Sequence, residues 1–151
     1  MWYMHSDFLA NEASEASDQS TPCKFASRIQ TAVKARCRVL VADDHTAFRK
    51  CLVEFLKEMT ELDVIADAQD GQQAVELTIS LHPDVVIMDL DMPRMNGIDA
   101  TRKIAGIFPD IRIICLSMHL FTDEAEVLAA GAARYLPKSG PVEDLLAAIQ
   151  C

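Results

Sequence analysis

The sequence predicts an α/β fold: a doubly wound parallel sheet of five strands with helices on both faces. Three observations carry this. Five short apolar runs, rich in β-branched residues, alternate with amphipathic stretches from Arg38 onward. Three of those runs are nearly unbroken, the pattern of parallel strands covered on both faces. The stretches between them place their apolar residues with a helical period. Right-handed crossovers then force the strands parallel and put helices on either side.

The first strand is Arg38–Ala42 (RVLVA), and it leads into a helix whose apolar residues Phe48, Cys51, Leu52, Phe55, Leu56 and Met59 fall at offsets 0, 3, 4, 7, 8 and 11. The second strand, Asp63–Asp67 (DVIAD), precedes a less cleanly amphipathic helix over 71–81. The third is Asp84–Asp89 (DVVIMD), followed by a helix carrying Gly97, Ala100, Ile104, Ile107 and Phe108 at offsets 0, 3, 7, 10 and 11. Ile111–Ser117 (IRIICLS) forms the fourth strand, with a weaker helical stretch over 121–131 behind it. The fifth, Ala133–Pro137 (ARYLP), precedes a helix with Val142, Leu145, Leu146 and Ile149 on one face. Pro141 sits where a first helical residue is expected, since its missing N–H has no partner to lose there.

A chain of 151 residues suits one domain of average size. Residues 1–36 hold four acids and four bases, so the formal charge of −9 belongs entirely to residues 37–151. The stretch NEASEASDQSTP is small, polar and aperiodic, and cannot bury enough apolar area to offset the entropy of ordering it. Residues 1–36 are therefore expected to be a flexible leader and 37–151 the folded domain. No window approaches the roughly 18 consecutive apolar residues of a spanning helix, and His5, Ser6 and Asp7 interrupt any secretory h-region. With 23 acids against 14 bases, direct DNA binding is disfavoured. The cysteines at 23, 37, 51, 115 and 151 form neither a CxxC pair nor a Cys/His cluster, so no disulfide framework or zinc site is signalled. A reducing cytoplasm is the simplest location.

In an open α/β sheet, ligands bind beyond the carboxyl ends of the strands. Here the first strand ends in Asp43 and Asp44, the third in Asp89, the fourth in Ser117, and the fifth just before Lys138. Asp67 ends the second strand, which is usually an outer one, and is left out of the candidate site. Three carboxylates brought together repel by about 4 kcal/mol per close pair at an effective dielectric near 20, so a cation must sit among them. Lys138 supplies one charge. Carboxylate oxygens without His or Cys select a hard ion such as Mg²⁺, completed by water and phosphate oxygens. An aspartate beside Mg²⁺, a lysine and a hydroxyl has the parts of a phosphoryl-acceptor site: nucleophile, charge-spreading cations and a hydrogen-bond donor. Taken singly, each feature has a plainer explanation, with Asp44 or Thr46 as a helix cap and Lys138 as a solvated surface charge.

Residues 38–150 resemble a response-regulator receiver domain of two-component signalling, a flavodoxin-like fold with strand order 2-1-3-4-5. The resemblance rests on VLVADDH (39–45), PDVVIMDLDMPRMNG (83–97), IICLS (113–117) and GAARYLPK (131–138), and covers about three-quarters of the chain. It implies that Asp89 is the phosphorylated aspartate and that Asp44 ligates Mg²⁺ directly. Asp43 would act mainly through water, with Asp89 and the backbone carbonyl of Asp91 completing the protein's share. It further implies that Lys138 and Ser117 bind phosphoryl oxygens, and that Tyr135 turns inward when Ser117 moves. The implied partner is a histidine kinase or phosphotransfer protein. The implied output face is the fourth helix, fifth strand and fifth helix, and self-association through it is left open. DDHTAFRKCL and LSMH resemble most the LuxR/FixJ (NarL)-type group, whose members usually continue into a helix-turn-helix domain. No such segment follows Cys151, which leaves a stand-alone receiver or a truncated regulator.

The rival is a different class. Asp89-Leu90-Asp91 is a DxD sequence, the nucleophile and general-acid pair of haloacid-dehalogenase-type Mg-dependent phosphatases. Against it, the acidic pair here precedes the nucleophile, and the chain is short for that fold. A flavodoxin-like nucleotide binder is disfavoured because no glycine-rich phosphate loop follows the first strand. The histidines at 5, 45, 82 and 119 have no ligand partner at helical spacing and are expected on surfaces or loops.

Overall fold

The computed structural model describes residues 35–119 and 122–151; the expected leader lies outside them except for its last two residues. The strands are β1 (Cys37–Ala42), β2 (Leu62–Ala68), β3 (Val85–Asp89), β4 (Arg112–Ser117) and β5 (Arg134–Pro137). The helices are α1 (Thr46–Lys57), α2 (Gly71–Leu81), α3 (Gly97–Ile107), α4 (Glu124–Ala129) and α5 (Val142–Ile149). All strand pairings are parallel, in the order β2-β1-β3-β4-β5. The expected doubly wound architecture is therefore the observed one.

Because β3 is buried along its whole length, it reads as an unbroken apolar run. Alternate strand residues serve two separate cores. Val39, Val41, Val85, Ile87, Ile114 and Leu116 pack against Leu52 and Leu56 of α1 and Leu145, Ala148 and Ile149 of α5. On the other face, Leu40, Val86, Met88 and Ile113 meet Ala74 and Val75 of α2, Ala100 and Ile104 of α3 and Val127 of α4.

β1 and β2 pair with a register shift, since Val39 faces Val64 but Leu40 faces Ala66, leaving Ile65 as an extra residue. This bulge reverses the parity of the rest of β2. Leu62 and Val64 pack on the α1 side, whereas Ala66 and Ala68 pack on the α2 side. Asp67 is thereby turned toward α1.

The helical faces differ from expectation at their margins. Cys51, Ile107 and Val142 fit the apolar periods by spacing but are exposed. In α1 the inward stripe is rotated so that Arg49 joins Leu52 and Leu56 as its buried residues. Pro141 is the N-cap of α5 rather than its first residue. Neither Asp44 nor Thr46 caps α1: His45 occupies the cap without a side-chain bond. His82 closes α2 in the left-handed region, and its ring meets Phe108 edge-on.

The cysteine reading is corrected at one point. Cys37 and Cys151 are joined by a disulfide, with their Cα atoms 6.0 Å apart across 114 residues of sequence. No spacing rule shows such a pair, because only the packing of α5 beside β1 makes them neighbours. Among the described residues Cys51 and Cys115 are free, the second of them buried. None of the described helices is long and apolar enough to cross a membrane.

Ile104 is 1% exposed and fills the core between α3 and the sheet. Ile104→Ala is expected to cost about 2–5 kcal/mol, through lost burial and the cavity left behind. Urea unfolding checks this, and a loss below about 1 kcal/mol would show that α3 does not close that core.

Candidate functional site

The strand ends deliver the charged residues to one edge. β1 stops at Ala42 and releases Asp43 and Asp44 into the turn before α1, while β3 ends on Asp89 itself. One carboxylate oxygen from each of Asp43, Asp44 and Asp89 lies within 4.8 Å of the others. Asp43 and Asp89 are buried, at 2% and 3% exposure, while Asp44 faces solvent.

Lys138 follows β5 immediately, and its N–H donates to the Ser117 carbonyl at 2.9 Å, continuing the β4–β5 ladder by one bond. The strand end thus aims its side chain across the edge. Nζ lies 2.7 Å from Asp43 Oδ2 and 3.1 Å from Asp89 Oδ1. It also sits 4.8 Å from the centre of the Phe48 ring. The second oxygen of Asp43 accepts the His45 N–H at 2.8 Å.

The electrostatics follow from burial and crowding. Desolvation, then the neighbouring Asp43 charge, push Asp89 up to about 6 from an ordinary 3.8, against the pull of Lys138. Burial alone would depress the Lys138 ammonium, but hydrogen bonds and charge from Asp43 and Asp89 outweigh it and raise its pKa. Three carboxylates against one ammonium leave a negative surplus. Their all-oxygen donor set suits a hard divalent cation such as Mg²⁺ better than a thiolate- or imidazole-seeking metal.

The loop after Asp89 is held close to it. The Gly97 N–H bonds the Leu90 carbonyl at 2.9 Å, and a Cβ at Gly97 would land on the Asp89 carbonyl oxygen. The Gly71 N–H bonds the Met95 carbonyl at 3.2 Å, docking the loop on the start of α2. The Asp91 N–H points back to Asp89 Oδ1 at 3.5 Å, while its carboxylate is exposed, 4.0 Å from the His119 imidazole.

Asp43, Asp44, Asp89 and Lys138 therefore converge as expected. Ser117 and Tyr135 meet elsewhere, at His119: Ser117 Oγ accepts the His119 N–H at 3.0 Å and donates to the His119 carbonyl at 3.2 Å. The Tyr135 hydroxyl donates to that same carbonyl at 3.1 Å. The Asp91 carboxylate stays at the mouth rather than in the cluster.

Three neighbours were not read from the sequence. Arg49 is buried, bonds the Asp43 carbonyl through Nη1, and reaches Asp67 Oδ2 through Nε at 2.7 Å. A basic residue one position after an apolar stripe begins is a faint signal. Asp67 was set aside as an outer-strand residue, and Phe48 was read only as core.

The response regulator receiver domain family matches residues 39–150. The chain belongs to this family. It is 37% identical to the transcriptional regulatory protein DegU of Brevibacillus brevis over 118 residues, covering 76% of this chain and 49% of that protein. It is 40% identical to the transcriptional regulatory protein LiaR of Bacillus subtilis, covering 75% of this chain and 54% of that protein. A solved two-component response regulator of the LuxR family from Aurantimonas sp. is 32% identical with a TM-score of 0.70, over 76% of this chain and 83% of that one. The chain thus spans about half the length of the curated relatives it matches, and the matched part is the receiver domain. The phosphatase alternative fits less well, since both the family match and the placement of the acidic pair ahead of Asp89 favour a receiver.

Asp89 also sets a pH dependence. Its folded pKa is raised, so its ionisation opposes folding; that cost is absent below about pH 3.8 and is fully felt above about pH 6. Asp89→Asn is therefore expected to stabilise the metal-free domain at pH 7.5, on the order of 2 kcal/mol. The gain should shrink as pH falls from about 6 to 4. Urea denaturation in EDTA across that range checks it, and a gain that ignores pH contradicts the assignment.

Proposed function

We propose that this receiver domain accepts a phosphoryl group on Asp89 from a histidine kinase or phosphotransfer protein, and that the modification changes the surface formed by α4, β5 and α5. The observation that carries this is the convergence of the Asp43, Asp44 and Asp89 carboxylates, with the Lys138 ammonium against Asp43 and Asp89. Asp44 and Asp89, with Asp43 behind them and the Asp91 carbonyl at the mouth, would hold Mg²⁺. Bound there, the ion supplies charge neutralisation for the transferring phosphoryl oxygens.

The chain's own groups account for the rest. A carboxylate oxygen of Asp89 attacks phosphorus as the bond to the donor's nitrogen breaks, giving an acyl phosphate and returning the electron pair to the donor imidazole. Lys138, already 3.1 Å from Asp89, stays beside the added charge. Ser117 spends its hydroxyl on His119 in the conformation described. Phosphorylation adds strong acceptor oxygens at Asp89, and a state in which Ser117 donates to one of them gives up its bond to the His119 carbonyl. Tyr135 bonds that same carbonyl, so its position changes with it. In this reading the chain is the acceptor in a relay rather than an enzyme with a separate turnover substrate.

The similarity to DegU and LiaR supports a place in transcriptional control. The acid excess of residues 37–151 supports action through protein contact rather than through DNA binding by these residues. We place the domain at 37–151 and the protein in the cytoplasm, where Cys37 and Cys151 would rest chiefly as thiols.

Incubation with acetyl phosphate and Mg²⁺ tests the proposal. A single base-labile phosphate mass increment is expected in the parent and none in Asp89→Asn. An increment that survives Asp89→Asn, or no increment in either protein, would overturn it.

A further inference from the structure

Asp67 and Arg49 form an ion pair that the proposed chemistry leaves unused. Arg49 is only 6% exposed, yet it lies on the inward face of α1 beside Leu52 and Leu56. A buried guanidinium is costly unless its donors are satisfied and its charge is paired. Here Nε meets Asp67 Oδ2 at 2.7 Å and Nη1 bonds the backbone carbonyl of Asp43. Asp67 reaches Arg49 only because the bulge at Ile65 turns the end of β2 toward α1.

The partner of Nη1 points to a role. Asp43 is the first residue after β1, and its side chain is the one that Lys138 approaches most closely, at 2.7 Å. The same residue carries further bonds: its N–H donates to the Ala68 carbonyl and its Oδ1 accepts the His45 N–H. The backbone at Asp43 is thus clamped between the end of β2 and the first turn of α1, with Arg49 spanning the two. Its rotation would move the Asp43 and Asp44 carboxylates together, relative to Asp89.

We propose that Arg49, braced by Asp67, is a positioning residue that sets the geometry of the Asp43–Asp44 turn and so tunes cation and phosphoryl affinity at Asp89. The inference rests on the phosphoacceptor reading of the site. A guanidinium can serve the carbonyl and the carboxylate at once through a rigid planar fork, whereas a lysine ammonium in its place cannot span both with the same geometry. Outer partners that orient ligand groups typically change metal affinity by 10–100-fold when replaced.

The test compares the parent with Arg49→Lys, Arg49→Gln and Asp67→Asn. Mg²⁺ affinity is read by titration calorimetry, and the rate of modification by acetyl phosphate is read over a series of Mg²⁺ concentrations. Arg49→Lys and Arg49→Gln are expected to weaken Mg²⁺ binding about tenfold or more. At saturating Mg²⁺ the modification rate should largely recover in Arg49→Lys. Asp67→Asn should produce a smaller loss in the same direction, and combining it with Arg49→Lys should add less than its separate effect. Asp67 is half exposed, so its variant carries the test if Arg49→Gln fails to fold. Variants that lose thermal stability but keep the parent's Mg²⁺ affinity would overturn the positioning role and leave Arg49 a packing residue. A parent that is never modified at Asp89 would instead overturn the phosphoacceptor reading beneath it.

Discussion

A single buried ammonium holds the upper edge of the sheet together. Lys138 Nζ lies within 3.1 Å of both Asp43 and Asp89, two carboxylates that are almost wholly withdrawn from water. Burying such charges costs several kcal/mol each, and taking away the one ammonium that two buried carboxylates share is the kind of loss that typically costs about 3–5 kcal/mol. One positive charge cannot balance two buried carboxylates with a third alongside, and the pKa of Asp89 is raised first by its burial and then by the neighbouring Asp43 charge. The site is stable as a structure and unsatisfied as an electrostatic arrangement. That combination favours an incoming cation.

The fold imposes this mismatch because the residues come from three strands whose ends are fixed by the sheet. β1 and β3 are neighbours, which brings Asp43 and Asp44 beside Asp89. β5 lies two strands away from β3, and the long lysine side chain crosses β4 to reach them. A shorter cation at position 138 could not make the span. The loop after Asp89 adds rigidity, because the backbone approach at Gly97 leaves no room for a side chain against the Asp89 carbonyl.

Much of this was legible from residue order alone. All five strands fall within one residue of their expected limits, β3 most plainly because a buried parallel strand leaves an unbroken apolar run. The helix over 71–81 matches its expected span, and Asp70 caps it by accepting the Gln73 N–H. The readings that failed depend on context that periodicity does not encode. Cys51, Ile107 and Val142 sit at the edges of their apolar stripes, where the neighbouring layer ends and solvent begins. Asp67 stands outside the acidic cluster, as its place on an outer strand implied, but its pairing with Arg49 was not legible because a one-residue bulge, invisible in composition, decides which face it takes. Of the site, the charged cluster was legible because strand ends share an edge. The attachment of Ser117 and Tyr135 to the His119 carbonyl was not, since a loop conformation determines it.

The two edges of the sheet differ in how firmly they are held. At the lower edge Arg38 bonds the carbonyls of Leu81 and His82 and, through its N–H, the Asp84 carboxylate. Arg112 holds the carbonyls of Ala148 and Gln150, joining the start of β4 to the end of α5. At the upper edge, by contrast, α4 is only six residues long and buries one side chain, Val127. Local openings take the route of fewest buried contacts. On the phosphoacceptor reading proposed above, an added charge at Asp89 would meet a base braced by Arg38 and Arg112 and an α4 that buries a single side chain.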